Sequence, residues 1–388
     1  MSGRACVVGG GFAGFWAAVA ARRVAADATV VMVAGGDRLV IRPRLYEAEP
    51  SSHAVELRPL LDSVGVDLVV DTCTGVTTRE GTVALGSGGR VAFDALVVAT
   101  GSALLVPPVP GALDAHSIDS LSDAVAFDEA LRSIANVPQP RVAIIGAGFT
   151  GIELALEMRD RFRAHGRGDG QPPPQVVLVD RADVVGVELG EGPRAAIEEA
   201  LAAAPVTVVL GATVRAMTPR SVTLADGTVV GADVVVLCTG MRASSLAAAL
   251  GAPVDEHGRV RVDGFLRVPG CAAVFAAGDV SAADTGDGHV ALLSCQHALM
   301  MGRVAGENAG RTLLGLPLVP YRQPGYQTCL DLGRSGAVLT AGWDRAEVAR
   351  GDRAKQIKRR INTELIYPDP TGGGAALLRQ SNIDAADR

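Results

Sequence analysis

The chain predicts an α/β protein built from two parallel-sheet units, the second inserted into the first, followed by an α+β segment. Three observations carry that prediction. A pattern of strand, glycine turn and helix occurs twice, the sequences downstream of each copy recur at nearly the same spacing, and one more buried strand arrives after the second copy has ended.

The first copy opens with the apolar run Ala5-Cys6-Val7-Val8, continues through Gly9-Gly10-Gly11-Phe12-Ala13-Gly14, and enters an alanine-rich helix to about Ala26. The second repeats this at Val142-Ala143-Ile144-Ile145, Gly146-Ala147-Gly148-Phe149-Thr150-Gly151 and a helix through about Phe162. In each copy the first glycine makes the tight turn, the second lets the backbone approach a pyrophosphate, and the third lets helix and strand pack closely. The helix N-terminus adds unpaired N–H groups and a partial positive charge. One such motif is weak evidence, because glycine turns between strands and helices are common. Here Gly9 and Gly146 stand 137 residues apart, while Thr82-Val83-Ala84-Leu85 matches Ser221-Val222-Thr223-Leu224, and Asp94 to Gly101 matches Asp233 to Gly240, each 139 apart. Turn glycines in an unrelated α/β protein would explain one copy but not this doubled spacing, so two Rossmann-like dinucleotide-binding units are expected.

The copies differ where the ligand is chosen. In the second, the strand Val176 to Val179 ends in Asp180, placed to accept hydrogen bonds from an adenosine ribose. A carboxylate there repels a 2′-phosphate and favours NADH, although Arg181 keeps NADPH open. In the first copy Ala34 stands where the acid is expected, and Asp37 is the candidate replacement. The late strand Ala273 to Ala277 closes on Gly278-Asp279, which makes the first unit discontinuous. Its expected bounds are 1–112 and 255–318, with the second unit at 113–254 and a C-terminal segment at 319–388. The Gly- and Pro-rich stretch from Arg163 to Pro174 reads as a surface loop, and the chain after Pro370 as a loose polar tail.

Composition narrows the function. A net charge of −6 and a pI near 5.6 exclude a phosphate-neutralising nucleic-acid binder. The six cysteines include no CxxC pair and no dense disulfide framework, which fits a reducing cytoplasm. Residues 1–21 imitate a secretory signal, but the glycine turn splits the apolar stretch. Residues 95–113 lack charge yet contain Pro107, Pro108 and Pro110, so no transmembrane helix is expected.

The ordered motifs Gly9 to Gly14, Ala99-Thr100-Gly101, Gly146 to Gly151, Cys238-Thr239-Gly240 and Gly278-Asp279 resemble the two-dinucleotide-binding-domain flavoproteins of the pyridine nucleotide-disulfide oxidoreductase superfamily. Arg42-Pro43-Arg44-Leu45-Tyr46-Glu47 and Ser294-Cys295-Gln296-His297-Ala298 resemble the type II NADH dehydrogenases within it. That resemblance implies FAD on the first copy and NAD(P)H on the second, with hydride passing to flavin N5 and electrons to a second substrate. It implies that Gly9, Gly11, Ala13 and Gly14 hold the FAD pyrophosphate, Val76 lies by the adenine, Thr100 and Gly101 lie near the flavin, and Asp279 binds the ribityl hydroxyls. A plain helix N-cap is the alternative for Asp279. Gln296 and His297 would begin a helix aimed at the flavin pyrimidine, and Gly146, Gly148, Gly151, Asp180 and Gly240 would hold NAD(P)H. Two departures stand out: Met300 replaces a glutamine common in the quinone reductases, and their long membrane-binding C-terminus is missing or short.

Candidate catalytic residues are Glu153, Gln296 and Lys355. By the resemblance, Glu153 sits between nicotinamide and flavin and relays a proton; the alternative is an acid complementing the helix dipole in the first turn. Tyr46 is either a flavin contact or a core tyrosine. The only two lysines among 36 basic residues, Lys355 and Lys358, stand three apart on an expected helix. Lysine can relay a proton where arginine cannot, and a solvated basic face is the alternative reading. The function expected is an NAD(P)H-oxidising flavoenzyme that reduces a quinone or similar small aromatic acceptor. A dedicated step on a biosynthetic intermediate and a reductase serving another protein are the competitors, and homodimerisation and peripheral contact with a membrane stay open.

Overall fold

The computed structural model describes residues 3–168, 170–368 and 372–384. Two five-stranded parallel sheets organise it. The first runs Asp67–Val70, Thr29–Ala34, Arg4–Val8, Ala95–Val98 and Val274–Ala276 across its width. The second runs Val206–Val209, Gln175–Val179, Arg141–Ile145, Val234–Leu237 and His116–Ser117. The inner strands are runs of Val, Ile, Leu and Ala buried on both faces, the pattern a parallel sheet covered by helices requires. Thr82–Leu85 and Ser221–Leu224, matched in sequence, are each the middle strand of a three-stranded antiparallel sheet.

The glycine turns are imposed by close approach. Gly9 has φ +122°, and a Cβ there would stand 2.1 Å from the Ala99 carbonyl oxygen; at Gly146 the values are +110° and 2.2 Å to the Cys238 carbonyl oxygen. Gly14 and Gly151 leave no room for a side chain against the carbonyls of Gly9 and Gly146. From these turns spring the helices Phe12–Val24 and Phe149–Ala164. The second helix takes the first two residues of the expected loop, and the buried Arg167 beyond it donates to the carbonyls of Ala135, Val137, Pro138 and Pro172.

A third helix, Cys295–Leu313, packs along Phe12–Val24 at backbone distance. A Cβ on Gly302 would stand 2.3 Å from the Ala13 carbonyl oxygen, and one on Gly306 2.1 Å from that of Ala17. The three glycines Gly302, Gly306 and Gly310 line one helix face, a spacing the sequence reading passed over.

The C-terminal segment is an antiparallel sheet of Gln327–Asp331, Ala337–Ala341 and Ala346–Arg350, then the helix Gly351–Arg360, which widens into a π-turn at Ile361–Leu365. The tail corrects an expectation. Residues Gly373–Gln380 form a helix rather than a loose polar end, with Leu377 buried in the same cluster as the first helix and Arg23 donating to Ser381. Ala375-Ala376-Leu377-Leu378 supplies an apolar face that outweighs the glycines before it. No described helix is long and apolar enough to cross a membrane.

Candidate functional site

The first glycine turn has room where the second does not. A Cβ on Gly11 meets no heavy atom within 4 Å, so the fold itself does not demand glycine there. That open cradle at a helix N-terminus is what a pyrophosphate needs. Around it, Ala13 is buried, Gly278 takes φ +76° against the Ala13 side chain, Gly101 takes φ +65°, and the buried Thr100 hydroxyl has no hydrogen-bond partner. Val76 lies in the antiparallel strand Cys73–Thr77, half-buried against the core on the other side of the sheet. Asp279 does not cap a helix. It sits in a short turn, accepts a hydrogen bond from Ser102 Oγ at 2.7 Å, and lies 3.9 Å from the Arg42 guanidinium, while burial pushes its carboxyl up. Arg42 also donates to Ser102 at 3.0 Å and pairs with Asp119. The sequence motif that contains Arg42 gives no sign of this network, because Asp119 and Asp279 lie far from it in the chain.

The helix Cys295–Leu313 is capped by Ser294, which accepts from the His297 amide at 3.3 Å. His297 is fully buried, neither of its ring nitrogens has a partner, and its ring centroid lies 4.9 Å from that of Tyr326. Burial, with Arg259 and Arg345 nearby, lowers its pKa to about 4, so the ring is neutral at pH 7. The Gln296 side-chain oxygen accepts from the Gln327 amide at 3.4 Å. These orphaned polar atoms and the open cradle fit a bound FAD.

In the second copy Asp180 stands at the end of its strand and accepts from the Ala147 amide at 2.6 Å and the Ala182 amide at 2.8 Å. Gly240 takes φ +89° beyond the neighbouring strand. Gly148 differs from Gly11: its Cβ would stand 2.2 Å from Glu188 Oε1.

Glu153 is the fifth residue of the Phe149–Ala164 helix, beyond the first turn, where the dipole effect has faded; complementing the helix dipole is therefore not its role. It is 3 % exposed and accepts from Lys358 Nζ at 2.8 Å and from the Asp331 amide at 2.9 Å. Burial raises its pKa to about 7 even though Lys358 pulls the other way. Burial pulls the Lys358 ammonium down, but Glu153 more than reverses this and holds it above the ordinary lysine value. The lysine on Glu153 is thus Lys358, not Lys355. Both share one helix face, but Lys358 points inward beneath the Tyr46 and Phe149 rings, and Lys355 pairs with Asp331 at 2.5 Å. Asp331 also accepts from the Tyr46 hydroxyl at 3.1 Å. One turn on from Glu153, Glu157 is pushed up to about 8 by burial and by Asp331. A cavity of about 430 Å³ lined by Glu157, Asp331, Lys355, Lys358, Arg44 and Glu47 opens beside the pair. Asp331 and Glu157 carried no sequence signal, since the C-terminal sheet alone brings Asp331 to the second-copy helix.

Cys329 and Cys295 are both free thiols, raised by burial to about 11. Cys329 donates weakly to the Ala354 carbonyl at 3.6 Å, as a small buried residue does.

Two Rossmann-like units with paired glycine turns, one threaded through the other, define a flavin- and pyridine-nucleotide-dependent oxidoreductase, and the chain belongs to the pyridine nucleotide-disulphide oxidoreductase family, which matches residues 3–302. Among its relatives, an NADH dehydrogenase-like protein of Mycobacterium tuberculosis is 40% identical over 388 residues, covering 97% of each chain. Demethylphylloquinone reductase of Synechocystis is 29% identical over 356 residues, covering 87% of this chain and 86% of that one. In fold, the sulfide:quinone oxidoreductase of Aquifex aeolicus superposes with a TM-score of 0.76 over 98% of this chain and 92% of that one, at 17% identity.

Proposed function

We propose that this NAD(P)H-dependent flavoprotein oxidises NADH in preference to NADPH and reduces a quinone or similar small aromatic acceptor. The observation that carries the reading is the buried Glu153 and Lys358 pair, a carboxyl with a pKa of about 7 held against an ammonium beside a polar cavity. Reducing a quinone consumes protons, and an acid titrating near neutrality is suited to deliver them. Two relatives named for NADH and for a quinone lend it support.

Gly9, Gly11, Gly14, Thr100, Gly101 and Asp279 would hold FAD, and Gly146, Gly148, Gly151, Asp180 and Gly240 would hold the nucleotide. FAD in that place supplies the centre that accepts hydride and releases electrons. The chain's own residues manage the proton: Glu153 carries it on a carboxyl oxygen, Lys358 keeps that oxygen in place, and Asp331, Lys355 and Glu157 connect the pair to the cavity. Asp180 excludes a 2′-phosphate by charge.

Steady-state NADH oxidation with a naphthoquinone, ferricyanide, oxygen and a ferredoxin in turn tests this reading. A quinone should support the highest kcat/KM. A ferredoxin that outperforms every quinone would replace it with the protein-partner reading.

A further inference from the structure

The two glycine turns share a backbone but not a surface. At Gly11 the space above the turn is open, whereas at Gly148 a carboxylate stands in it. Glu188 Oε1 accepts a hydrogen bond from the Phe149 amide at 3.1 Å, the first N–H of the nucleotide-binding helix and the position a phosphate oxygen takes in this kind of turn.

The loop that presents Glu188 is built to hold it there. Gly186, at φ +58°, donates its amide to the Ala147 carbonyl at 2.9 Å, tying the loop to the glycine turn itself. Val185 and Leu189 on either side are buried, while Glu188 is exposed. From behind, a Cβ on Gly192 would stand 1.9 Å from the Arg345 carbonyl oxygen, so the C-terminal hairpin presses on the far end of the loop. A carboxylate and a diphosphate are both anions satisfied by the same N–H groups, so only one can be seated at a time.

We infer that Glu188 is an internal competitor for the pyrophosphate of the incoming nucleotide and sets how tightly the second copy binds it; this rests on the nucleotide reading above. The ligand class affected is any dinucleotide carrying a pyrophosphate. Ligands without one need not displace Glu188. The first copy has no such competitor, which distinguishes a site that holds its cofactor from one that must exchange its substrate every turnover.

The test is calorimetric titration of the flavin-loaded protein with ADP-ribose and with adenosine, for wild type, Glu188→Gln and Glu188→Ala. If the competitor holds the seat about nine-tenths of the time, removing it tightens ADP-ribose by about tenfold, with adenosine and flavin content unchanged. Unchanged or weaker ADP-ribose binding in both variants overturns the proposal, the weaker case meaning that Glu188 touches the ligand instead. ADP-ribose that fails to bind any form removes the nucleotide site, and this proposal with it. Amide exchange at Phe149 supplies a readout independent of nucleotide: protection should drop in Glu188→Ala and return with ADP-ribose, and protection equal to wild type in the unliganded variant also refutes the assignment.

Discussion

Replacing Lys358 with methionine separates the buried ion pair from the helix that carries it. Methionine keeps most of the aliphatic stem beneath Tyr46 and Phe149, so packing changes little, and the loss is the ammonium with its bonds to Glu153 at 2.8 Å and the Cys329 carbonyl at 3.0 Å. Breaking a buried pair by removing one partner commonly costs about 3–5 kcal/mol, because a bare charge stays behind. Glu153 avoids that penalty at neutral pH. Its pKa is already about 7, so it takes up a proton at almost no cost, and what remains is the lost hydrogen bonding, about 2 kcal/mol. Above pH 7 the wild-type carboxyl ionises against Lys358, while the variant must stay protonated or bury a bare charge. The sign follows from linkage: the variant's folded-state pKa lies further above the unfolded value near 4.5, so its deficit grows with pH, by up to about 1.4 kcal/mol per pH unit. Urea denaturation of wild type and Lys358→Met at pH 6, 7, 8 and 9 measures this. Arg360→Met is the control, since its pair with Glu364 at the end of the same helix is exposed and screened by solvent, so its effect stays below about 1 kcal/mol and flat with pH. A Lys358→Met deficit that does not change between pH 7 and 9 would refute the account of the pair.

Gly11→Val should yield a folded but colourless protein, because a Cβ there meets no protein atom within 4 Å and the branched side chain fills the cofactor's path, whereas Gly9→Ala should damage the fold itself; absorbance at 450 nm and circular dichroism separate the two. Asp180→Ala should narrow the preference for NADH over NADPH by roughly tenfold, the worth of one hydrogen bond to a charged group, read from stopped-flow flavin reduction by each donor. Glu153→Gln should slow reoxidation by a quinone by about a hundredfold while leaving reduction by NADH nearly intact. The wild-type reoxidation rate should fall as pH rises through about 7, where Glu153 loses its proton, and Glu153→Gln should lose that dependence; equal effects on both half-reactions would end the proton-relay reading.

What the sequence disclosed followed from how local each constraint is. The turns at Gly9 and Gly146 depend on residues within one strand and one helix, so their pattern was visible twice in the chain. Their register against Ala99 and Cys238 was also legible, because the strands ending there repeat at the same offset. Glu153 could be singled out by its place behind Gly151, but its partner could not. Lys355 and Lys358 differ only by one position on a helix face, and which of them turns inward depends on the sheet from Gln327 to Arg350, assembled from strands with no repeat to announce them. Asp331 meets Glu153 and Tyr46 across 178 and 285 residues of chain, and Arg42 meets Asp119 across 77, so no local spacing announces these contacts. The tail helix is hidden in sequence because the glycines before it signal a turn, whereas the four apolar residues that follow find the first unit's core only in the folded chain.

The return of Val274–Ala276 to the edge of the first sheet has a consequence for the chain as it leaves the ribosome. The second sheet is complete once Leu237 has been made, but the first lacks its fifth strand until Ala276 appears. Between Val98 and that point, at about 5–20 residues per second, synthesis takes on the order of ten seconds or more. During that interval the outer edge of Ala95–Val98, buried on both faces in the finished protein, presents unpaired backbone groups and bare apolar side chains. The inserted unit therefore matures ahead of the unit that encloses it, reversing the usual order in which the N-terminal part of a chain folds first. Its host spends that time as the segment most in need of a chaperone.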